Sequence, residues 1–282
     1  MSIVNVKEIV ENKKKKLKSE ILDLRDKGII PKLAVILAND VEASRIYVSR
    51  KRKLCQELGI DETEYLFDSK VTTKELLEVI DKLNNDTEVD GILVQLPLFK
   101  HLDEAEILDR IDPKKDVDGF SAINVGRLYE GRESVVPCTP KGIVTILKEL
   151  EPELVGKNAV VVGRSQIVGK PMAALLLNEG MTVTICHSKT TNLPEHTRNA
   201  DVLVVATGVP HLIKEDMVKE GAIVIDVGMT RVKDKLVGDV DTENVDKKAK
   251  HVTPVPGGVG LTTVFSLAQN VVELSKNRLK KQ

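Results

Sequence analysis

The sequence predicts an α/β fold with two domains. The chain has 282 residues, about twice the length of a domain of roughly 150 residues. Short apolar runs rich in β-branched residues alternate with segments of helical periodicity, which is typical of parallel sheets built from β-α-β units. The alternation is interrupted over residues 112–142, where Gly, Pro and Asp cluster. We therefore place a domain boundary near residue 139.

Seven apolar runs are predicted as strands buried on both faces, because each is short and bounded by Gly, Pro, Asn or Asp. They are residues 33–38, 64–68, 90–96, 158–163, 181–186, 201–206 and 221–228. The first three runs belong to a domain formed by residues 1–139, and the other four belong to a domain formed by residues 140–262. The tail, residues 263–282, has helical periodicity and is expected to pack back on the first domain.

Composition argues against several classes of function. Lys and Arg total 42 and Asp and Glu total 43, so the chain has no overall basic field to attract nucleic acid or an anionic membrane. Four Phe, three Tyr and no Trp are too few for base-stacking platforms. No secretory signal and no apolar run near the ~18 residues of a membrane span are visible, so we expect a soluble cytoplasmic protein. Three cysteines without C-x-x-C spacing argue against disulfides or a zinc site, and no metal is expected.

A dinucleotide site is one interpretation of residues 159–180, which predict a strand, a glycine-containing turn and a helix. A helix N-terminus presents unpaired N–H groups and partial positive charge to a pyrophosphate, provided that no side chain blocks the approach. Gly163 and Gly169 would leave that approach open. The pattern is G-x-S-x-x-x-G rather than G-x-G-x-x-G, so a tight turn in a domain that binds no nucleotide explains this motif equally well.

The following strand favours NADP over NAD. An NAD site usually has Asp or Glu at the end of this strand to bind the ribose 2′-hydroxyl. Here the strand is followed by His187, Ser188, Lys189 and Thr190. These groups, together with Arg164, suit a 2′-phosphate. Glycine turns at residues 207–208 and 226–229 follow two later strands, where backbone can approach the ribose and nicotinamide.

A predicted helix over residues 43–58 carries one cation on its apolar side. The positions that share this face are Ser44, Tyr47, Lys51, Leu54 and Leu58. A lysine held against apolar neighbours is poorly hydrated and can exchange a proton near neutral pH. The alternative is an ordinary surface lysine that extends its charge into solvent.

Two further polar residues are expected near Lys51. Gln95 interrupts a buried strand just before Pro97, and Asp118 lies in a Gly-containing loop after the next helix. The carboxyl ends of parallel strands meet at one edge of a sheet, which brings such groups together. A core glutamine with satisfied hydrogen bonds and a turn-forming aspartate are the alternative interpretations.

The chain resembles the bifunctional methylenetetrahydrofolate dehydrogenase/methenyltetrahydrofolate cyclohydrolases. The motifs that carry the resemblance cover nearly the whole chain in order. They are Ser44-x-x-Tyr47-x-x-x-Lys51, GILVQLPL (91–98), DPKKDVDGF (112–120), NVGRL (124–128), PCTPKG (137–142), VVVGRSQIVGKPM (160–172), CHSKT (186–190), DVGM (226–229) and PVPGGVG (254–260).

The resemblance implies two reactions. The first is NADP-dependent oxidation of 5,10-methylenetetrahydrofolate to the methenyl cation, and the second is hydrolysis of that cation to 10-formyltetrahydrofolate. By position, Lys51 is the essential cyclohydrolase residue and Gln95 holds and tunes it. Asp118 binds the pterin ring, and Tyr47 stacks on the folate. A homodimer with a folate cleft between the two domains of each chain is also implied.

The resemblance extends to a cofactor site and to further substrate contacts. Arg164 and Ser188 would recognise the 2′-phosphate. The cofactor-binding residues implied are Gly163, Arg164, Ser165, Val168, Gly169, His187, Ser188, Thr207, Gly208 and Met229. The substrate-binding residues implied, besides the four named above, are Pro256, Gly257, Gly258 and Leu261.

The chain departs from the family pattern at three sites. Phe99 stands where proline is usual, and Leu261-Thr262-Thr263 replaces the usual Pro-Met-Thr. Both changes adjoin the expected folate cleft. Met229 replaces Ile or Val, which is a conservative change.

Two other functions are considered. Tyr47-x-x-x-Lys51 is also the pair used by short-chain dehydrogenases, but there it follows the nucleotide turn, whereas here it precedes Gly163. A non-enzymatic regulator that binds NADP or folate is the second alternative, and an assay for turnover separates it from an enzyme.

Overall fold

Two parallel β-sheets organise the chain, and each lies in its own structural unit. The structure, a computed structural model, describes residues 3–281. We call residues 12–127, 133–138 and 264–281 the N unit, and residues 3–11, 128–132 and 139–263 the C unit. The α/β prediction is confirmed.

The helices and strands are numbered in chain order. The helices are α1 (Val6–Asp26), α2 (Glu42–Leu58), α3 (Thr73–Asn85), α4 (Glu104–Asp109), α5 (Ala122–Tyr129), α6 (Cys138–Leu150), α7 (Gly169–Asn178), α8 (Leu193–Thr197), α9 (Thr242–Val245) and α10 (Val259–Ser275). The strands are β1 (Lys32–Leu37), β2 (Asp61–Leu66), β3 (Gly91–Gln95), β4 (Asn158–Val162), β5 (Thr182–Cys186), β6 (Val202–Val205), β7 (Ile223–Asp226), β8 (Thr230–Val232), β9 (Lys235–Val237) and β10 (His251–Val252). Two 3₁₀ helices cover Glu215–Met217 and Lys276–Lys281.

The N unit contains a three-stranded parallel sheet in the order β2-β1-β3. The central strand β1 is apolar and almost fully buried over residues 33–36. Helix α3 starts with a capping box between Thr72 and Glu75 and turns Leu76, Ile80 and Leu83 into the core. Each such aliphatic side chain contributes about 1.5–3 kcal/mol on full burial. These buried side chains hold the sheet and its helices together. Polar groups on the helices thereby lie near the carboxyl edge of the sheet.

The C unit contains a five-stranded parallel sheet in the order β10-β7-β6-β4-β5, and β8 and β9 form a separate antiparallel pair. The connection from β4 leads to β5 on one side, and the chain then crosses back to β6 on the other side of β4. The direction of winding therefore changes between β4 and β6. Such a switch point opens a crevice at the carboxyl ends of the strands, where ligands bind in open α/β sheets.

The seven predicted strands are all present, but the expectation that each is buried on both faces is wrong for β2 and β5. Both strands lie at the edges of their sheets, where neighbouring elements cover them incompletely. In β2, Leu66 is 65% exposed, and three of the five residues of β5 are exposed. The pair β8–β9 and the two-residue strand β10 were not predicted, because they are too short or too polar to form apolar runs.

None of the helices described within residues 3–281 combines the length and apolar character needed to cross a bilayer. The three cysteines, Cys55, Cys138 and Cys186, are free and buried.

Candidate functional site

Lys51 is a buried cation on helix α2. Its side chain is only 9% exposed and lies on the helix face that also buries Ser44, Leu54 and Leu58. The Lys51 Nζ atom donates a hydrogen bond of 2.9 Å to Gln95 Oε1. Among residues 3–281, Gln95 is the one side chain that hydrogen-bonds to this ammonium. Two of its N–H groups therefore remain available for a substrate or a water molecule.

Gln95 is fixed in the orientation that Lys51 requires. It is the last residue of β3, at the carboxyl edge of the sheet. Its Nε2 atom donates to the Leu96 carbonyl oxygen at 2.8 Å, which leaves Oε1 facing the lysine. The sequence-based expectation that these two side chains meet is confirmed by this contact.

Asp118 reaches the same edge because the chain before it runs beside β3. Asp116 forms a parallel bridge to Ile92, so Asp118 lies two residues farther toward the carboxyl end. Burial raises the pKa of Asp118 to about 6, an effect that Lys51 opposes and Asp116 reinforces. The structure thus brings Asp118 into the electrostatic field of the Lys51 ammonium, as the sequence predicted.

Buried polar groups that sequence analysis did not single out hold the Asp118 loop. Asp116 is 4% exposed and accepts hydrogen bonds from the backbone N–H groups of Gly119 (2.9 Å) and Ser121 (2.8 Å). Asn270 on α10 is 1% exposed, and its Nδ2 atom donates to the carbonyl oxygens of Val117 (2.8 Å) and Val136 (2.9 Å). The only sequence signal for either residue is a polar side chain within an otherwise buried segment.

Tyr47 lies one helical turn before Lys51 and is half-buried. Burial raises the pKa of its phenol, and the nearby Arg50 opposes the rise. A partly covered aromatic ring on the same face as the lysine can pack against a flat heterocycle.

The turn after β4 has the shape that a pyrophosphate site needs. Gly163 has a φ of 132°, and a Cβ atom there would overlap the Ala206 carbonyl oxygen. A Cβ atom on Gly169, the first residue of α7, would overlap the Gly163 carbonyl oxygen. The two glycines let the turn fold tightly against the loop after β6 and over the start of α7, at the switch point of the sheet.

Ser165 stabilises this turn from within. Its Oγ atom accepts from the backbone N–H groups of Val168 (3.2 Å) and Gly169 (3.3 Å). Arg164 beside it is exposed, and its guanidinium contacts no partner among the residues that the structure describes. The turn therefore presents an available cation next to the helix N-terminus, which suits a phosphorylated dinucleotide.

A second compact loop follows β5. The His187 N–H donates to Thr190 Oγ1 at 2.8 Å, and the Thr190 N–H returns a hydrogen bond to the His187 carbonyl oxygen at 2.8 Å. The Lys189 N–H donates to His187 Nδ1 at 3.2 Å. Ser188 at the tip is exposed, so its hydroxyl is accessible to a ligand. β5 pairs with β4, and this loop therefore lies on the same sheet edge as Arg164.

The loop after β6 completes the crevice on its other side. Thr207 is half-buried and Gly208 is exposed. Both are hydrogen-bonded to the carboxylate of Asp239, a residue that sequence analysis did not identify. Met229, after β7, is 44% exposed.

The remaining residues of interest lie in the C unit at the start of α10. Pro256 and Gly257 are exposed, Gly258 is buried, and Leu261 is 38% exposed. Phe99, in the N unit, stacks on His101 with ring centroids 5.8 Å apart. Pro256, Gly257 and Leu261 have accessible positions, and the contacts of all these residues with substrate stay a prediction.

Comparisons with known proteins identify the family. Residues 4–118 match the model described as the tetrahydrofolate dehydrogenase/cyclohydrolase catalytic domain, and residues 137–279 match the corresponding NAD(P)-binding domain. The Campylobacter hominis protein named Bifunctional protein FolD is 52% identical over 282 residues, which is 100% of this chain and 99% of that protein.

Solved structures agree with the sequence matches. The crystal structure of the bifunctional FolD methylenetetrahydrofolate dehydrogenase/cyclohydrolase from Campylobacter jejuni is 49% identical, with a TM-score of 0.96 and coverage of 99% of both chains. The Trypanosoma brucei dehydrogenase-cyclohydrolase, solved with NADP cofactor and inhibitor, is 36% identical with a TM-score of 0.94, over 99% of this chain and 98% of that chain. The resemblance noted in the sequence is confirmed, and the chain belongs to the tetrahydrofolate dehydrogenase/cyclohydrolase family.

Proposed function

We propose that this enzyme oxidises 5,10-methylenetetrahydrofolate with NADP and hydrolyses the methenyl product to 10-formyltetrahydrofolate, with Lys51 serving the hydrolysis. The observation that carries the proposal is the buried Lys51 ammonium, held by Gln95 beside the Asp118 carboxyl. Membership of the family supports both activities. The glycine turn at residues 163–169 and the exposed Arg164 support the choice of a phosphorylated dinucleotide.

The oxidation requires orientation more than acid–base chemistry. A nitrogen lone pair beside the methylene carbon stabilises the cation that forms as hydride leaves, so no strong base is needed. NADP, when bound, accepts that hydride. The chain's part is to hold the two reactants in contact, which is worth a large fraction of the barrier when the geometry is correct. Asp118 would fix the pterin ring by accepting hydrogen bonds from its N–H groups, and Tyr47 would pack against it.

The hydrolysis requires proton transfer. Water adds to the methenyl carbon, one of its protons ends on the ring nitrogen that is released, and the other leaves to solvent. Lys51 is placed to relay a proton because its buried ammonium has N–H groups not used by protein: it can donate one proton to the nitrogen that is released and then take up a proton from the attacking water. Gln95 would keep the lysine in this position throughout the reaction.

A spectrophotometric assay tests the two activities together. Purified enzyme is mixed with methylenetetrahydrofolate and either NADP or NAD, and absorbance of the reduced cofactor and of the methenyl intermediate is followed. We expect reduced cofactor to accumulate with NADP and the methenyl absorbance to decay at a rate set by the enzyme. Binding of NADP and folate without turnover would instead indicate a regulator.

The cofactor preference is tested at Arg164. Arg164→Ala should raise the NADP Michaelis constant about 10- to 100-fold, because a charge-assisted hydrogen bond to the 2′-phosphate is worth roughly 1.5–3 kcal/mol. The NAD constant should change little. Arg132→Ala, which removes another exposed arginine of the C unit, serves as the control. Equal wild-type efficiency with NAD and NADP would refute the assignment.

The role of Asp118 is tested by pH dependence. Because burial raises the pKa of Asp118 to about 6, from an ordinary value near 3.9, the carboxyl is protonated and loses acceptor capacity as pH falls through about 6. The folate Michaelis constant should therefore rise below pH ~6 in the wild type. In Asp118→Asn, folate binding should be weak at all pH values and this inflection should be absent. An unchanged inflection in the variant would assign it to another group.

The same raised pKa affects stability in the opposite sense from a salt-bridged carboxylate. The folded state holds the Asp118 proton more tightly than the unfolded chain. This contribution to stability is present below pH ~4 and is lost as pH rises through about 6. Loss of activity below pH 6 therefore does not require that protonation of Asp118 unfolds the protein. Melting curves recorded alongside the assay distinguish weaker folate binding from unfolding.

We also propose that the enzyme is a cytoplasmic homodimer, as the family resemblance implies. The three free, buried cysteines fit a reducing compartment. Sedimentation equilibrium measures the assembly directly: a mass near twice 31.1 kDa is expected, and a monomer at assay concentrations would refute it.

A further inference from the structure

Asp239 is a fully buried carboxylate beside the loop that follows β6. Its exposure is 0%. The Oδ2 atom accepts three hydrogen bonds: from the Thr207 N–H (2.6 Å), from Thr207 Oγ1 (2.9 Å) and from the Gly208 N–H (2.9 Å). One carboxylate oxygen thereby fixes both backbone and side chain of a two-residue loop at the carboxyl edge of the sheet.

A second carboxylate holds Asp239 in place. Asp226, at the end of β7, is 1% exposed. Its Oδ1 atom accepts from the N–H groups of Gly228 (3.0 Å) and Asp239 (2.9 Å), and its Oδ2 atom accepts from the Val240 N–H (3.0 Å). Burial raises the pKa of Asp226 to about 6, and Asp239 adds to the rise.

The two carboxylates lie directly against backbone. A Cβ atom on Gly228 would overlap Asp239 Oδ1, and one on Gly238 would overlap Asp226 Oδ2. Neither carboxylate forms an ion pair with a residue that the structure describes. Hydrogen bonds reach both oxygens of Asp226 and the Oδ2 atom of Asp239, while Asp239 Oδ1 has no hydrogen-bond partner among the described residues. Burying a charge in this way costs folding free energy unless its hydrogen bonds are good. A loop that needed only a tight turn would not require two buried carboxylates.

The loop held by Asp239 forms one wall of the predicted cofactor crevice. Ala206, the residue before Thr207, has its carbonyl oxygen against Gly163 in the turn after β4. β4 and β6 are neighbours, and the crevice at the switch point lies between the loops that follow them. A change in the position of residues 206–208 therefore changes the width of the crevice at the glycine turn.

We propose that Asp239 is a positioning residue for the oxidation reaction, which it serves by holding Thr207 and Gly208 against the NADP site. The proposal rests on the proposed function, because it takes the crevice between β4 and β6 as the cofactor site. The proposal predicts different effects on the two activities. The hydrolysis uses Lys51, Gln95 and Asp118 of the N unit, and none of these residues forms a hydrogen bond with Asp239 in the part of the chain that the structure describes.

Two substitutions at Asp239 test the proposal. Asp239→Ala removes all three acceptor contacts and should raise the NADP dissociation constant about tenfold or more, with a matching rise in the NADP Michaelis constant. Asp239→Asn has nearly the same shape and keeps an oxygen where Oδ2 lies, so its dissociation constant should fall between those of wild type and Asp239→Ala. In both variants, hydrolysis of added methenyltetrahydrofolate should stay within about twofold of wild type.

The control is Val245→Ala, which opens a cavity at a fully buried position of α9 in the same unit. It should lower the melting temperature and leave the NADP dissociation constant near the wild-type value. Thr207→Val, which removes only the hydroxyl contact, should produce a smaller effect than Asp239→Ala.

The outcomes distinguish the inference from the function on which it rests. Unchanged NADP dissociation constants in both Asp239 variants, or equal loss of the two activities in Asp239→Asn, would overturn the positioning role. If Asp239→Ala fails to fold, Asp239→Asn decides the question alone. A wild-type enzyme that binds NADP but lacks both activities would refute the proposed function. The NADP dissociation constants of the variants would still test the positioning role of Asp239.

Discussion

Lys51→Met should nearly abolish hydrolysis of methenyltetrahydrofolate while NADP-dependent oxidation of methylenetetrahydrofolate remains measurable. Methionine matches the length of the lysine stem and fills the same buried volume on α2, but it cannot exchange a proton. Loss of a group that transfers protons typically lowers the rate of the step that uses it by ~10²–10⁴. Hydride loss from the methylene carbon needs no proton acceptor, so the oxidation lacks this dependence.

The measurement is the decay of the methenyl absorbance with methenyltetrahydrofolate as the only substrate. The reduction of NADP is recorded separately with the same enzyme preparation. Lys53→Met, on an exposed face of the same helix, controls for loss of charge and should leave both rates unchanged. Gln95→Ala should weaken hydrolysis less than Lys51→Met, because the lysine remains but loses its 2.9 Å hydrogen bond. Wild-type hydrolysis by a folded Lys51→Met enzyme would reduce Lys51 to an ordinary helix residue.

The contact between Lys51 and Gln95 was predictable because both signals are local. A lysine on an apolar stripe and a glutamine in a buried run each break a simple pattern. The parallel sheet then brings strand ends and following helices to one edge. Asp118 follows the same logic, since its segment runs beside β3.

Asn270 and Asp239 were not predictable in this way. Asn270 is 153 residues from its partner Val117, and Asp239 is 32 residues from Thr207. Their roles depend on which carbonyl or N–H groups the folded chain places opposite them, and no periodicity in the sequence records that. The edge strands β2 and β5 show the same limit, because an apolar run does not reveal whether a neighbour covers it.

The glycine turn offers the second large effect, at Gly163. Its φ of 132° is one that residues with a Cβ atom rarely adopt, and forcing such a residue into it costs of order 1–3 kcal/mol. The added Cβ would also overlap the Ala206 carbonyl oxygen. Relief of this overlap would push apart the loops after β4 and β6. The width of the crevice depends on the spacing of these two loops.

Gly163→Ala should therefore raise the NADP dissociation constant by about 100-fold or more, because the displaced backbone changes the crevice itself and each 1.4 kcal/mol of lost binding energy is a factor of ten. Gly221→Ala is the matched control. Gly221 also has a positive φ, 75°, but a Cβ there would meet no atom within 4 Å. It carries the conformational strain without the overlap, so it should lower the melting temperature while the NADP dissociation constant stays near that of wild type.

Hydrolysis should persist in Gly163→Ala, because Lys51 and Gln95 belong to the N unit. Equal NADP affinity in the two glycine variants would show that the spacing of the two loops does not govern cofactor binding.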